Sequence, residues 1–236
     1  MTLMMDRILK YRIFIPIILL MGMAPITGFA AQQKNVRVVL LDPAHGGEET
    51  GVLADKMREK DLTLQVALLL RDEAKKIPGL ELRLTRSADR SMSVSERILA
   101  AGAAQADCIV SLHFNGGFGK KASGYEVYFP GFQQAVGGED RAAILSDMAR
   151  NKTLNDSVRL AQLMKSALET VFPRKGRGLR EAPNPLLEGV KIPGVVVEMA
   201  FATHPDDRKK VIEQETQKVA VRALLRGLQD YFRKTP

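Results

Sequence analysis

The chain has 236 residues, is 45% hydrophobic and 26% charged, and carries a formal net charge of +8. That balance suits one globular domain with a sizeable core and excludes a low-complexity chain. The lone Cys108 excludes an intrachain disulfide framework, and lysines and arginines scattered without clustering exclude a nucleic-acid module.

The first thirty residues read as a targeting segment rather than as fold. Arg7, Lys10 and Arg12 make a positive start, residues 13–24 are apolar, and Gly28, Phe29 and Ala30 offer a cleavage point before Ala31. Pro16, Gly22 and Pro25 break the apolar stretch, which disfavours a stable membrane span. The expectation is a Sec-type signal peptide over 1–30, with export to the periplasm or beyond the cell. These residues contribute +2, so the mature chain 31–236 keeps +6 of the total +8. A basic exported protein suits anionic partners such as cell-wall polymers, or simply a solvated basic surface.

Residues 36–41 form a continuous apolar run, the pattern of a buried strand. Residues 59–76 read as a helix with Leu62, Val66, Leu69 and Leu70 on one face, ended by Pro78-Gly79. Residues 80–85 alternate as a strand. Residues 93–106 are helical, with Ser93 and Glu96 spaced as a capping box. Strands follow at 108–114 and 125–129. Residues 132–152 read as an inserted loop or small helix, and Asn155 as the N-cap of a helix over 156–172. Residues 173–178 read as a basic loop, 195–199 as the last buried strand, and 206–213 and 217–232 as closing helices. Strands alternating with helices predict a single α/β domain with a mainly parallel, mixed twisted sheet flanked by helices. Ligands of such sheets bind beyond the carboxyl ends of the strands.

His45, His113 and Glu198 fall at or just after three strand-like runs, and Glu59 opens the first helix. Two histidines and two carboxylates are the parts of a catalytic zinc site: three bind the metal and the fourth handles protons. Spacing alone does not choose among Glu48, Glu49 and Glu59 as the carboxylate ligand. Asp42 is placed to orient the His45 ring, or to serve a cap or turn. Glu198 lies in an apolar run, where burial raises a carboxyl toward the pKa of a working base. His204, before Pro205 and two aspartates, reads as a helix cap.

At these residues the chain resembles the zinc-dependent N-acetylmuramoyl-L-alanine amidases, the cell-wall hydrolases that act on peptidoglycan. DPAHGG, REKDL, LTRSADRSMSVSERI, SLHFN, SGYEVYF, TLNDSVRLA, GLREAP and PGVVVEMAFATHPDD follow in the family's order. The resemblance implies a phosphorylase/hydrolase-like fold and one zinc ion held by His45, Glu59 and His113. It also implies Glu198 as catalytic acid/base, a peptidoglycan substrate, and a monomer. Some members carry a helix that occludes the site until a protein activator binds. Residues 132–152 occupy the matching place, with Glu139 or Asp140 as candidates to reach the metal. Arg174, Lys175 and Arg177 are candidates to meet stem-peptide carboxylates. Ala44, Gly102 and Phe114 depart from the family's usual residues, at positions where the pocket wall would change. Alternatives are a zinc peptidase or deacetylase acting on another wall amide, and a non-catalytic peptidoglycan-binding protein.

Overall fold

The computed structural model describes residues 36–119, 121–131, 141–173 and 175–233. The expected signal segment and residues 132–140 lie outside the described residues. Six strands form the main sheet: β1 (Arg37–Pro43), β4 (Leu80–Leu84), β5 (Cys108–Asn115), β6 (Tyr125–Pro130), β7 (Gly176–Ala182) and β8 (Gly194–Phe201). Their order is β4-β1-β5-β8-β6-β7, and only the β6–β8 pair is antiparallel. A two-stranded ribbon, β2 (Leu53–Ala54) and β3 (Met57–Arg58), stands apart. This is the α/β architecture with a mainly parallel, mixed sheet that the alternation of elements predicts.

Helices cover both faces, which is why the central strands β1, β5 and β8 read as largely apolar runs. On one face α1 (Glu59–Ala74), α3 (Arg141–Val171) and α6 (Gln214–Arg233) pack over Val39, Leu41, Val110, Leu112, Val127 and Val197. On the other, α2 (Val94–Ala103) and α4 (Pro185–Gly189) pack over Val38, Leu40, Ile109 and Val196. A further helix, α5 (Pro205–Ile212), follows β8. Because strand side chains alternate, the second face continues along β5 as Ile109, Ser111 and His113. Apolar core thus gives way to polar residues along one row of one strand.

The capping box on α2 is present: Ser93 Oγ accepts from Glu96 N, and the Glu96 carboxylate accepts from Ser93 N. His204 caps α5, its Nδ1 accepting from Asp207 N, as its setting before Pro205 predicts. Cys108 is fully buried. Three expectations need correction. Residues 141–152 are the first turns of α3, which runs on to Val171, so Asn155 is inside the helix and does not cap one. No Gly or Pro occurs between Arg141 and Val171. The hydroxyls that could compete with the helix bond back into it: Thr153 to Ala149 O and Ser157 to Thr153 O. Residues 176–178, read as loop, begin β7. This exposed edge strand carries two glycines and no apolar alternation. α4 was not expected at all; five residues with Asn184 as cap are too short for a periodic signal.

Candidate metal centre

β1 ends in a sharp turn. His45 has φ of 61° and Gly46 of 135°, and a Cβ on Gly46 would stand 2.2 Å from the Arg90 carbonyl oxygen. Only glycine tolerates that combination. Carbonyl oxygens of this turn have no ladder partner, and buried cations take them. Arg86 donates to Pro43 O at 2.9 Å and Ala44 O at 2.9 Å. Arg97 donates from Nη2 to His45 O at 2.9 Å, and Lys60 Nζ donates to Gly47 O at 2.5 Å. Leaving such groups unpaired would cost about 1–3 kcal/mol each. Part of the chain's positive charge is therefore internal and holds His45 in place.

Asp42 does not orient the His45 ring. It is buried and accepts from Arg97 Nη1 at 2.5 Å, Thr85 Oγ1 at 2.7 Å and Ser111 Oγ at 2.9 Å. Its influence on His45 runs through Arg97 to the backbone carbonyl. Glu49 instead meets the ring, its Oε1 lying 2.7 Å from His45 Nδ1. That contact on the far nitrogen leaves Nε2 facing the site.

Glu59 is the first residue of α1 and is 2% exposed, too buried for an unpartnered carboxylate. Its Oε2 accepts from Val52 N at 2.9 Å and its Oε1 from Phe114 N at 3.1 Å. His45 Nε2 lies 3.1 Å from Oε2, and His113 Nδ1 lies 3.1 Å from Oε1. Burial pushes the Glu59 carboxyl up, but the hydrogen bonds from His113 and His45 outweigh it and bring the pKa down to about 2. For His45 burial acts downward, and the contacts with Glu59 and Glu49 outweigh it, so its pKa is raised. One ligand atom from each of His45, Glu59 and His113 lies within 4.8 Å of the others. Two imidazoles and a carboxylate that close together fit a zinc ion. Glu48 and Glu49 are not part of this group. Gly51 completes the cradle: a Cβ there would stand 2.5 Å from both Glu59 Oε2 and His45 Cδ2.

Glu198 is the cross-strand partner of His113 in the β5–β8 register. Its Oε2 is buried with no hydrogen-bond partner among the described residues. Burial, aided by the Glu59 and Glu126 charges, raises its pKa to about 7. The structure thus gathers all four of the residues singled out in the sequence. It also brings in Glu126, which sits opposite Glu198 on β6 and was not anticipated. The signal was there: a carboxylate between Tyr125 and Val127 in a buried strand is as conspicuous as Glu198. Ala44 and Phe114 are buried, Phe114 in the larger core on the face away from His113, and Gly102 is exposed with nothing near it. Phe114 and Gly102 therefore do not shape the wall at His113. Glu139 and Asp140 lie outside the described residues.

A His–Glu–His donor set beside a carboxylate whose buried oxygen meets no donor among the described residues is what a one-metal hydrolytic centre requires. The family model described as N-acetylmuramoyl-L-alanine amidase matches residues 39–230, and the chain belongs to that family (Amidase_3). It is 31% identical over 203 residues to "Uncharacterized protein YqiI" of Bacillus subtilis, covering 86% of this chain and 88% of that one. It is 26% identical to the N-acetylmuramoyl-L-alanine amidase AmiC of Escherichia coli, covering 88% of this chain but 55% of AmiC. Among solved structures, the N-acetylmuramoyl-L-alanine amidase from Clostridium difficile 630 superposes with a TM-score of 0.71 at 26% identity. That match covers 86% of this chain and all of that one (100%).

Proposed function

We propose that this chain hydrolyses the amide joining N-acetylmuramic acid to L-alanine in peptidoglycan, releasing stem peptides. The observation that carries the reading is the buried Glu198 Oε2, without a hydrogen-bond partner among the described residues, opposite His113 in a site that fits zinc. The family match gives the substrate class.

His45, Glu59 and His113 would hold the zinc ion. When bound, zinc supplies Lewis-acid polarisation of the scissile carbonyl and activation of the attacking water. Glu198, with a pKa near 7, accepts the proton of that water at its carboxylate and returns it to the leaving nitrogen of L-alanine. Glu59, held ionised by two backbone donors and both histidines, stays a ligand and does not compete for the proton. Glu49 fixes the His45 ring through Nδ1.

Residues 1–30 serve export in this reading, which puts the enzyme where peptidoglycan is. The charge and apolar pattern supports it. N-terminal sequencing of the protein recovered from cell fractions tests it, and an intact Met1 would remove it. No helix among the described residues is long and apolar enough to cross a membrane.

The decisive experiment treats purified sacculi with the zinc-supplemented protein and identifies the products by mass spectrometry. Peptides with a new L-alanine N-terminus, together with peptide-free glycan, are expected. A cut at any other wall amide, or none, overturns the assignment. Deleting residues 132–140 tests whether release by an activator belongs to this function: faster turnover supports it, unchanged turnover removes it.

A further inference from the structure

Next to the metal centre lies a second polar site that the hydrolytic chemistry does not use. It is a pocket of about 530 Å³ whose lining includes Asn115, Lys121, Glu126, Tyr128, Arg177 and Arg180. Its floor is continuous with the site: Asn115 is two residues beyond His113 on β5, and Glu126 faces Glu198 across the β6–β8 ladder.

The charges in it do not cancel. Lys121, Arg177 and Arg180 stand against the single carboxylate of Glu126. Glu126 is 3% exposed and its oxygens are fully engaged. Oε1 accepts from Arg177 Nε at 2.7 Å and lies 3.4 Å from Arg180 Nε, while Oε2 accepts from Asn115 Nδ2 at 3.1 Å and Tyr128 Oη at 2.5 Å. Burial raises this carboxyl, but the Tyr128 hydroxyl and the two guanidiniums outweigh it and hold it below the usual range, so it remains an anchor. Arg177 spends only its Nε–H on it, and Arg180 approaches it with Nε alone. Among the described residues, their terminal nitrogens meet no protein acceptor. Arg177 is further fixed by stacking 5.0 Å over the Phe201 ring. Two guanidinium forks, oriented by one buried carboxylate and open on their terminal edges, match the geometry of a bidentate carboxylate.

We infer that this pocket binds a free carboxylate on the peptide arm of the substrate, on the leaving-group side of the scissile amide. The inference rests on the proposed amidase reading and deepens it. Asn115 stands two residues beyond His113, about 7 Å along the strand. A peptide residue spans about 3.5 Å, so the α-carboxylate of the second residue from the scissile bond reaches that far. An amide at the same position offers one acceptor and no charge, and forfeits most of the contact.

The test uses two N-acetylmuramoyl-L-alanyl-D-glutamyl compounds, identical except that the α-carboxyl is free in one and a carboxamide in the other, with the γ-carboxyl blocked in both. Wild type is expected to prefer the free acid by about tenfold or more in kcat/KM, the usual scale of a charged hydrogen-bonded pair. Arg180→Ala and Arg177→Ala should bring that ratio toward one, with Arg180→Lys restoring part of it. Equal rates on both compounds in wild type, or a ratio unchanged in the alanine variants, overturns the subsite while leaving the amidase reading intact. Cleavage of neither compound counts against the amidase reading. The same pair titrated into isotope-labelled wild type and variants by NMR then still reads the preference, and equal affinity for acid and amide overturns the subsite.

Discussion

His113 and Glu198 face each other across two parallel strands, one ring nitrogen turned to Glu59 and one carboxylate oxygen left without a partner among the described residues. The proposed metal ligand and the proposed proton carrier are thereby placed on one rung of one ladder, where backbone hydrogen bonds and not loops set their spacing. Rigid placement of this kind is what separates a ligand from a base.

The two residues should fail differently. Glu198→Gln keeps the shape and removes the proton acceptor, so zinc content should remain near one per chain while turnover on sacculi falls by about 10²-fold or more. His113→Ala should lower zinc content itself. Metal analysis of the purified variants beside product counts separates the outcomes, and wild-type turnover by Glu198→Gln would remove it as the base.

The raised Glu198 pKa predicts how the metal-free protein responds to pH. Its carboxyl titrates near 7 when folded, against about 4.5 unperturbed. The neutral form is thus favoured in the fold, and its contribution is fully present below about pH 4.5 and lost as pH rises through 7. Glu198→Gln should therefore match wild type at pH 4.5 and exceed it at pH 8, on the order of 1–2 kcal/mol after screening by solvent. Urea unfolding of both proteins at the two pH values measures this, and equal midpoints at pH 8 contradict it.

Gly51 and Arg97 act on the site without binding metal. Gly51→Ala places a Cβ at 2.5 Å from Glu59 Oε2 and the His45 ring, in a backbone conformation with φ of 63°. Arg97→Met frees the His45 carbonyl and strands Asp42 without its cation. Both should weaken zinc affinity about tenfold or more, read by competition with a chelator in protein shown to be folded by circular dichroism.

Asn155 distinguishes a continuous α3 from two shorter helices. Loss of a real N-cap costs about 1 kcal/mol, whereas Asn→Ala inside an exposed helix gains a few tenths. Asn155→Ala should leave the melting temperature unchanged or slightly raised; a drop of several degrees would place a helix start there.

Three of the four site residues are legible because each breaks a local rule. A histidine ends the 36–45 run before two glycines, and His113 and Glu198 interrupt buried strands where polar groups are costly. Glu126 breaks the same rule, as a carboxylate between Tyr125 and Val127 in a buried strand. β7 and α4 were missed for want of periodicity, and the 132–152 segment was divided from α3 because Asn155 and Asp156 resemble a cap when their neighbours are unknown.

What the sequence by itself determined is therefore the alternation of strands and helices, the capping box, and His45, His113 and Glu198, all carried by neighbours within a few residues. Only the tertiary structure decided which carboxylate joins the two histidines, because Glu48, Glu49 and Glu59 differ in direction and not in type. It also decided that Asp42 works through Arg97, and that Arg177 and Arg180 converge on Glu126. These are contacts between elements tens of residues apart, brought together by sheet register and by the pairing of buried charges, which no local pattern encodes.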